Sequence, residues 1–179
     1  MASIIALTAC NSTDNKTNES ANVTTEESIQ KQDTAQTGND ANWAAEVADG
    51  GMLEVKLGEL AQTNASAAGV KGFGAMMVKD HGAANAALSD LSRKLNIRLP
   101  TALSEKSQKM YDDMAGMKGK DFDKAYTMGM VTDHEKDIQK FQEEADNGSN
   151  ADLKAFASKT LPVLNRHLNV VKGLSAKMK

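Results

Sequence analysis

From Asp40 to Met178 apolar side chains return every three to four residues, and only Pro100 and Pro162 interrupt the stretch. A period near 3.6 can bury a continuous face only as an α-helix, so this chain is constrained to pack helix against helix. Four long segments carry the pattern. The first runs from about Asp40 to Thr63 with Trp43, Val47, Leu57 and Ala61 on one face. The second, from about Ser66 to Leu95, carries Val70, Phe73, Met77, His81, Leu88, Leu91 and Leu95, with Ser66 expected as its N-cap. The third, from about Lys120 to Asp146, carries Met130, Val131, His134, Ile138 and Phe141 and stops at Asn147-Gly148. The fourth, from about Asn150 towards Met178, carries Leu153, Phe156, Val163, Leu164, His167, Val170, Val171 and Leu174. Pro162 lies inside it and predicts a kink one turn before His167.

Segments of roughly 24 to 29 residues make helices about 36 to 43 Å long, the dimensions of a four-helix bundle. Between Asn96 and Gly119 a long connection holds one short amphipathic piece near Ser104 to Met114. Two tight hairpins joined by one long middle connection predict an all-α, ferritin-like four-helix bundle; up-down-up-down wiring is the alternative. Ala, Met, Leu, Lys and Glu dominate this region, a mixture of good helix formers.

The N-terminal region reads differently. The only cysteine, Cys10, ends a short apolar run, and Leu7-Thr8-Ala9-Cys10 resembles a bacterial lipobox, although no Lys or Arg precedes the run. Residues 1–10 are therefore expected to be a lipoprotein signal peptide ending at a lipidated Cys10, which would anchor the protein to a membrane through lipid. Residues 11–39 contain no aromatic side chain and only Val23 and Ile29 as large aliphatics, so they are expected to be a disordered polar tether. Residues 40–179 are expected to form the bundle. The expected location is the bacterial cell envelope, facing the periplasm or on the outer membrane.

Two of the three histidines close a repeated pentapeptide, MVKDH (Met77–His81) and MVTDH (Met130–His134). At 100° per residue each histidine shares its inward face with the methionine four residues earlier. His167 lies on the inner face of the fourth helix, and Glu54 falls in the inward arc of the first. A buried carboxylate needs a partner or a metal, so one ligand from each helix, Glu54, His81, His134 and His167, is the expected constellation. Nitrogen and oxygen donors suit zinc, iron or manganese, and the thioethers of Met77 and Met130 would add affinity for copper(I). Asp80 and Asp133 point about 100° from the histidine on their own helix and are expected to reach histidines on neighbouring helices, or else to form surface salt bridges. The competing reading of the same residues is a metal-free network of buried His and Glu hydrogen bonds.

Other classes find no support. A net charge of -3 offers no basic footprint for nucleic acid. Glu-x-x-His, the signature of di-iron carboxylate bundles, does not occur, nor do HExxH, a phosphate loop, a nucleophile elbow or the CxxCH haem attachment motif. Gly50-Gly51 and Gly58 sit in a helical context and predict close helix approach.

The stretches GGMLEVKLGELA (Gly50–Ala61), VKGFGAMMVKDHGAANAAL (Val70–Leu88), FDKAY and DHEK in the third helix, and LKAFASKTLPVLNRHL (Leu153–Leu168) resemble the bacterial domain of unknown function 4142 family. The resemblance implies a ferritin-like bundle exported to the envelope, and it implies no established activity. It also implies a glutamate at Glu54 and histidines at His81, His134 and His167. The expectation is a non-enzymatic envelope lipoprotein whose core holds one zinc, copper or iron ion, in metal handling or envelope stress. The alternatives are a structural or interaction module with an unidentified protein partner and, less favoured, a redox enzyme.

Overall fold

The computed structural model describes residues 19–178, with side chains from Gly38 onward; Cys10 and the lipobox lie outside the described residues. The chain divides into two units, Met1–Ala35 and Gln36–Lys179. Of the first, the described part is a stretch of helix. The second carries the bundle, and only its internal packing concerns the site.

Five helices make up the described residues: α1 (Glu19–Asn64), α2 (Ala68–Lys94), α3 (Glu105–Ala115), α4 (Gly119–Asn147) and α5 (Ala151–Ser175). The fold is all-α, and among the described residues a lone β-bridge joins Ala65 and Gly119 in place of any sheet. The first helix starts well before the expected Asp40, inside the segment read as tether. That stretch has no proline to break a helix, and Glu, Gln, Lys and Ala recur through it, so local propensity does not stop the helix where the apolar stripe ends. The helix α5 runs through Pro162 without interruption. Val170, expected inside, is 37% exposed, because the inward stripe follows Leu164, His167 and Val171.

Two aspartates and an asparagine fix the wiring. Asp40, on α1, accepts hydrogen bonds from the backbone N–H groups of Ser149 (3.1 Å) and Asn150 (2.7 Å), holding the α4–α5 turn against the middle of α1. Asp49, farther along α1, accepts from the Ser104 N–H (2.7 Å) and the hydroxyls of Ser104 and Ser107, which pins the start of α3. At the end of α1, Asn64 donates to the carbonyls of Ala115 (3.3 Å) and Met117 (3.0 Å) just before α4 begins. The connection from α2 to α4 therefore runs along α1 from Asp49 to Asn64, and α4 starts beside the α1–α2 turn, where Ala65 bridges Gly119 in parallel. Helices α2 and α4 are consequently parallel, the crossover wiring of ferritin-like bundles.

Asp123 of α4 closes this end. Its carboxylate takes the N–H groups of Ser66 (3.0 Å) and Ala67 (2.9 Å) together with the Ser66 hydroxyl. Ser66 is thus not the N-cap of α2. The cap position is Ala67, which makes no side-chain cap, and a carboxylate from another helix satisfies the free N–H groups and the positive end of the helix dipole. A local reading misses this because the partner lies 57 residues away.

Apolar clusters lie on either side of the site. Leu53, Leu57, Ala61, Phe73, Met77, Phe122, Tyr126 and Met130 form one buried cluster, while Trp43 meets Phe141 and Phe156 edge-on at centroid separations of 5.2 and 6.2 Å. Helices α1 and α2 touch backbone to backbone where Gly58 faces Gly74: a Cβ at either position would stand 2.7 Å from the other's carbonyl oxygen. Gly51 packs as closely against Asn85, but Gly50 faces open space, so the expected close approach holds for Gly51 and Gly58 and not for Gly50.

Gly58→Ala should therefore destabilise the fold by about 1 to 3 kcal/mol through overpacking. Gly72→Ala on α2, where a Cβ meets nothing, should stabilise it by about 0.5 to 1 kcal/mol through helix propensity. Denaturation midpoints of the two variants should move in opposite directions; a shift of the same sign would contradict the packing.

Candidate metal centre

Four side chains, one from each long helix, converge half-way along the bundle. Glu54 (α1) is 2% exposed, His81 (α2) 7%, and His134 (α4) and His167 (α5) are fully buried. The crossover brings parallel α2 and α4 into register, so that the two copies of the pentapeptide deliver His81 and His134 at one height. The three imidazoles form a near-equilateral triangle with ring centroids 5.2, 5.4 and 5.6 Å apart. One nitrogen from each ring lies within 4.8 Å of the other two.

Every histidine has an outer acceptor that assigns its tautomer. His134 donates from Nδ1 to the Met130 carbonyl (3.0 Å), the residue one turn earlier in the pentapeptide. His167 donates from Nε2 to Asp80 Oδ2 (3.0 Å). Asp80 is held in place by Arg166 at 2.5 Å. His81 meets Glu54 Oε2 through Nδ1 at 2.7 Å. With these outer nitrogens protonated, the inner ones, Nε2 of His81, Nε2 of His134 and Nδ1 of His167, carry bare lone pairs. Those of His134 and His167 face each other at 3.3 Å, and His81 Nε2 has no hydrogen-bond partner.

Electrostatics keep the rings neutral. Burial pushes all three imidazoles down to about 4. Burial likewise pushes Glu54 up to about 8, with the charge of Asp133 adding to the rise and His134 opposing it. Burial also works upward on Asp80, but the hydrogen bond from His167 and the Arg166 guanidinium outweigh it and hold the carboxyl below its usual range. The His81–Glu54 contact is therefore not a simple ion pair. Around neutral pH the histidines are uncharged and Glu54 favours a proton, because charge is costly in so buried a cluster.

The structure divides the expected set. The three histidines come together as nitrogen donors, whereas Glu54 stands behind His81 as the acceptor that orients it. Its oxygens group with Asp133 and Asp137, one oxygen from each of the three lying within 4.8 Å of the others. Asp80 reaches a histidine on another helix, His167, and also forms a salt bridge with Arg166. Asp133 lies with the carboxylates and makes no hydrogen bond to a histidine among the described residues. Met77 and Met130 are buried in the apolar cluster beside the site, and Met130 contributes its carbonyl. Asp137, which sequence reasoning did not single out, belongs to the site; its signal was the like-charged Asp133/Asp137 pair at i, i+4 on a helix whose neighbour presents Glu54.

A small cavity of about 30 Å³ touches Glu54, His81 and Asp137, enough for about two water molecules. Phe73 walls the opposite side, 6.4 Å from the rings of His134 and His167.

A family model matches residues 25–174, nearly the whole chain. The chain belongs to the DUF4142 family. That family is described as a domain of unknown function. No curated protein and no solved structure matches the chain. Membership therefore supplies a domain and no chemistry, and what this DUF4142 domain can do rests on its own side chains.

Glu54 links stability to pH. Its folded value of about 8 lies above its ordinary 4.5, so the stability it contributes is full below pH 4.5 and is lost as pH rises towards 8. In metal-free protein kept in chelator, Glu54→Gln should therefore gain stability over the natural chain as pH climbs through that window, at up to roughly 1.4 kcal/mol per pH unit. Denaturant midpoints at intervals across the window read the effect; parallel curves would show that Glu54 ionises as freely as in the unfolded chain.

Proposed function

We propose that this domain holds one transition-metal ion on His81, His134 and His167, and that it does so as an envelope lipoprotein anchored through Cys10 and engaged in metal handling. One observation carries the reading: three buried, neutral imidazoles are each tied from outside to an acceptor on the protein and turn bare lone pairs towards one another. Left alone, such lone pairs repel. A cation at their centre removes the repulsion.

The spacing of one pair fits a tetrahedral ion. Metal–nitrogen bonds of about 2.0 to 2.1 Å at tetrahedral angles place two ligand nitrogens roughly 3.3 to 3.4 Å apart, and His134 Nε2 and His167 Nδ1 are 3.3 Å apart. Outer partners of this kind, a carboxylate behind two rings and a backbone carbonyl behind the third, are what metal-bound histidines use to fix tautomer and orientation. Zinc suits this donor set best, with iron and copper as competitors; Met77 and Met130 would favour copper if their thioethers turned in.

Holding an ion, and not turning over a substrate, is the activity we infer. The cavity that touches His81 has space for about two waters, so an organic substrate, which usually needs several hundred Å³, does not fit against the imidazoles themselves. The lipobox and the polar segment that follows it support an anchored protein whose bundle stands off the membrane surface. Among the described residues no helix is long and apolar enough to cross a membrane.

A second reading rests on the same 3.3 Å separation, which is also a hydrogen-bond distance. One extra proton between His134 and His167 would complete a metal-free network that specifies the packing of the four helices.

Elemental mass spectrometry of untagged protein decides between them. The metal reading expects close to one equivalent of a single metal after loading with zinc, copper and iron in turn. It also expects loss of stoichiometric binding in each of His81→Ala, His134→Ala and His167→Ala. Asp80→Asn, which leaves the ligands in place, should weaken binding by about 10- to 100-fold. Metal content equal in all variants, or absent from the natural chain under every loading, would leave the hydrogen-bond network as the function of these residues.

A further inference from the structure

Beside the histidines lies a group that the proposed ion site does not use. Glu54, Asp133 and Asp137 present one carboxylate oxygen each within 4.8 Å of one another. Asp133 and Asp137 make no hydrogen bond and no salt bridge among the described residues. Glu54 Oε2 is committed to His81, while its Oε1 is buried without a hydrogen-bond partner. The 3.5 Å approach of His134 Nδ1 does not supply one, because that N–H is already given to the Met130 carbonyl. Three carboxylates held this close, with one oxygen of the buried Glu54 unpartnered, are an arrangement that protons or a cation would neutralise.

The group also borders two spaces. Asp137 lines both the small cavity that reaches Glu54 and His81 and a larger cleft of about 540 Å³ between α1, α4 and the crossing connection. Asp133 lines the cleft. Of the charged side chains around that cleft four are acidic (Glu46, Asp49, Asp133 and Asp137) and two are basic (Lys106 and Lys140). Lys140 is itself tied to Glu46 at 2.6 Å. The balance favours cations at the mouth. Gly50 borders both spaces, and nothing stands within 4 Å of where its Cβ would be, so α1 places no side chain between them at that point.

We propose that Glu54, Asp133 and Asp137 form a second, oxygen-donor site for a divalent cation, placed between the cleft and the histidines, which receives an ion from solvent and hands it to the imidazoles. An all-carboxylate donor set suits a hard ion such as manganese(II), whereas the histidine trio suits zinc. Glu54 touches both sets, with Oε2 on the ring of His81 and Oε1 free for the cation, so an ion at the carboxylates lies next to the ring that would take it. The hand-over rests on the reading of the histidines as a metal site; the carboxylate site does not.

Manganese(II) and zinc read the two sites separately. The full chain is titrated with manganese(II), following the paramagnetic resonance signal of the free aqueous ion, and with zinc, by equilibrium stoichiometry. The natural chain should take up one manganese equivalent. Asp133→Asn with Asp137→Asn should weaken that uptake by tenfold or more, and His167→Gln, which alters a ring held by Asp80, should leave it intact. Asparagine keeps the shape and removes like charge, so the double variant should fold; circular dichroism checks it, and Asp137→Asn alone serves as a milder second test. Manganese uptake that is absent from the natural chain, or equal in the double variant, or lost in His167→Gln, overturns the carboxylate site. Manganese bound without any zinc at the histidines leaves the carboxylate site standing and removes the proposed function. Where zinc does bind, its loading in the double variant should slow by about tenfold or more, the scale of electrostatic focusing, and reach the same final stoichiometry. Equal loading rates would overturn the hand-over.

Discussion

A carboxylate inside a helical bundle is the constraint on which the rest of this structure depends. Glu54 stands on the apolar face of α1, and the cost of leaving it unpaired there is several kcal/mol. The fold answers with His81 from the antiparallel neighbour, and that answer creates the next demand, since an imidazole committed through one nitrogen leaves the other without a partner. His134 and His167 repeat the situation from the far side. Each polar group is oriented by something outside the centre, and all the unsatisfied valence points inward. The apolar layers around Phe73, Met77 and Met130 and around Trp43, Phe141 and Phe156 then raise the energetic weight of whatever completes the centre, because a low dielectric strengthens both its repulsions and its bonds.

The wiring matters as much as the composition. In an up-down-up-down bundle α2 and α4 would run in opposite directions. Here the connection, pinned by Asp49 and Asn64, runs along the C-terminal part of α1, and α4 starts at the same end as α2. The repeated pentapeptides therefore arrive in parallel, with His81 and His134 at the same height and each Asp one residue before its histidine. From there the copies diverge. Asp80 meets His167 and Arg166 on α5, while Asp133 turns to Glu54 and Asp137. Nearly identical local sequences thus serve two purposes, because different helices lie beside them.

Much of this was legible in the residues, for reasons that can be named. The long helices follow from a period that no other element can satisfy, and the inward placement of Glu54, His81, His134 and His167 follows from counting 100° per residue. What local reasoning missed depends on partners far away in the chain. Ser66 looks like an N-cap until Asp123 takes its N–H. Asp137 looks like a surface charge until Glu54 is placed opposite. Gly50 looks like a helix contact until the cavity beside it is seen. Glu54 was expected to join the histidines as a fourth ligand, and its height and face allowed that; the direction of its carboxylate, onto the outer nitrogen of His81, depends on side-chain torsions that periodicity does not carry.

By itself, then, the sequence determined an all-α bundle, the face of each helix and the four side chains that meet inside, because helical periodicity and the cost of burying charge act locally and one residue at a time. Tertiary structure alone decided the crossover, the tautomer of each histidine, the division of the centre into a nitrogen trio and an oxygen trio, and the cleft that reaches it. Those depend on distances between residues tens of positions apart, which are set only when the helices pack.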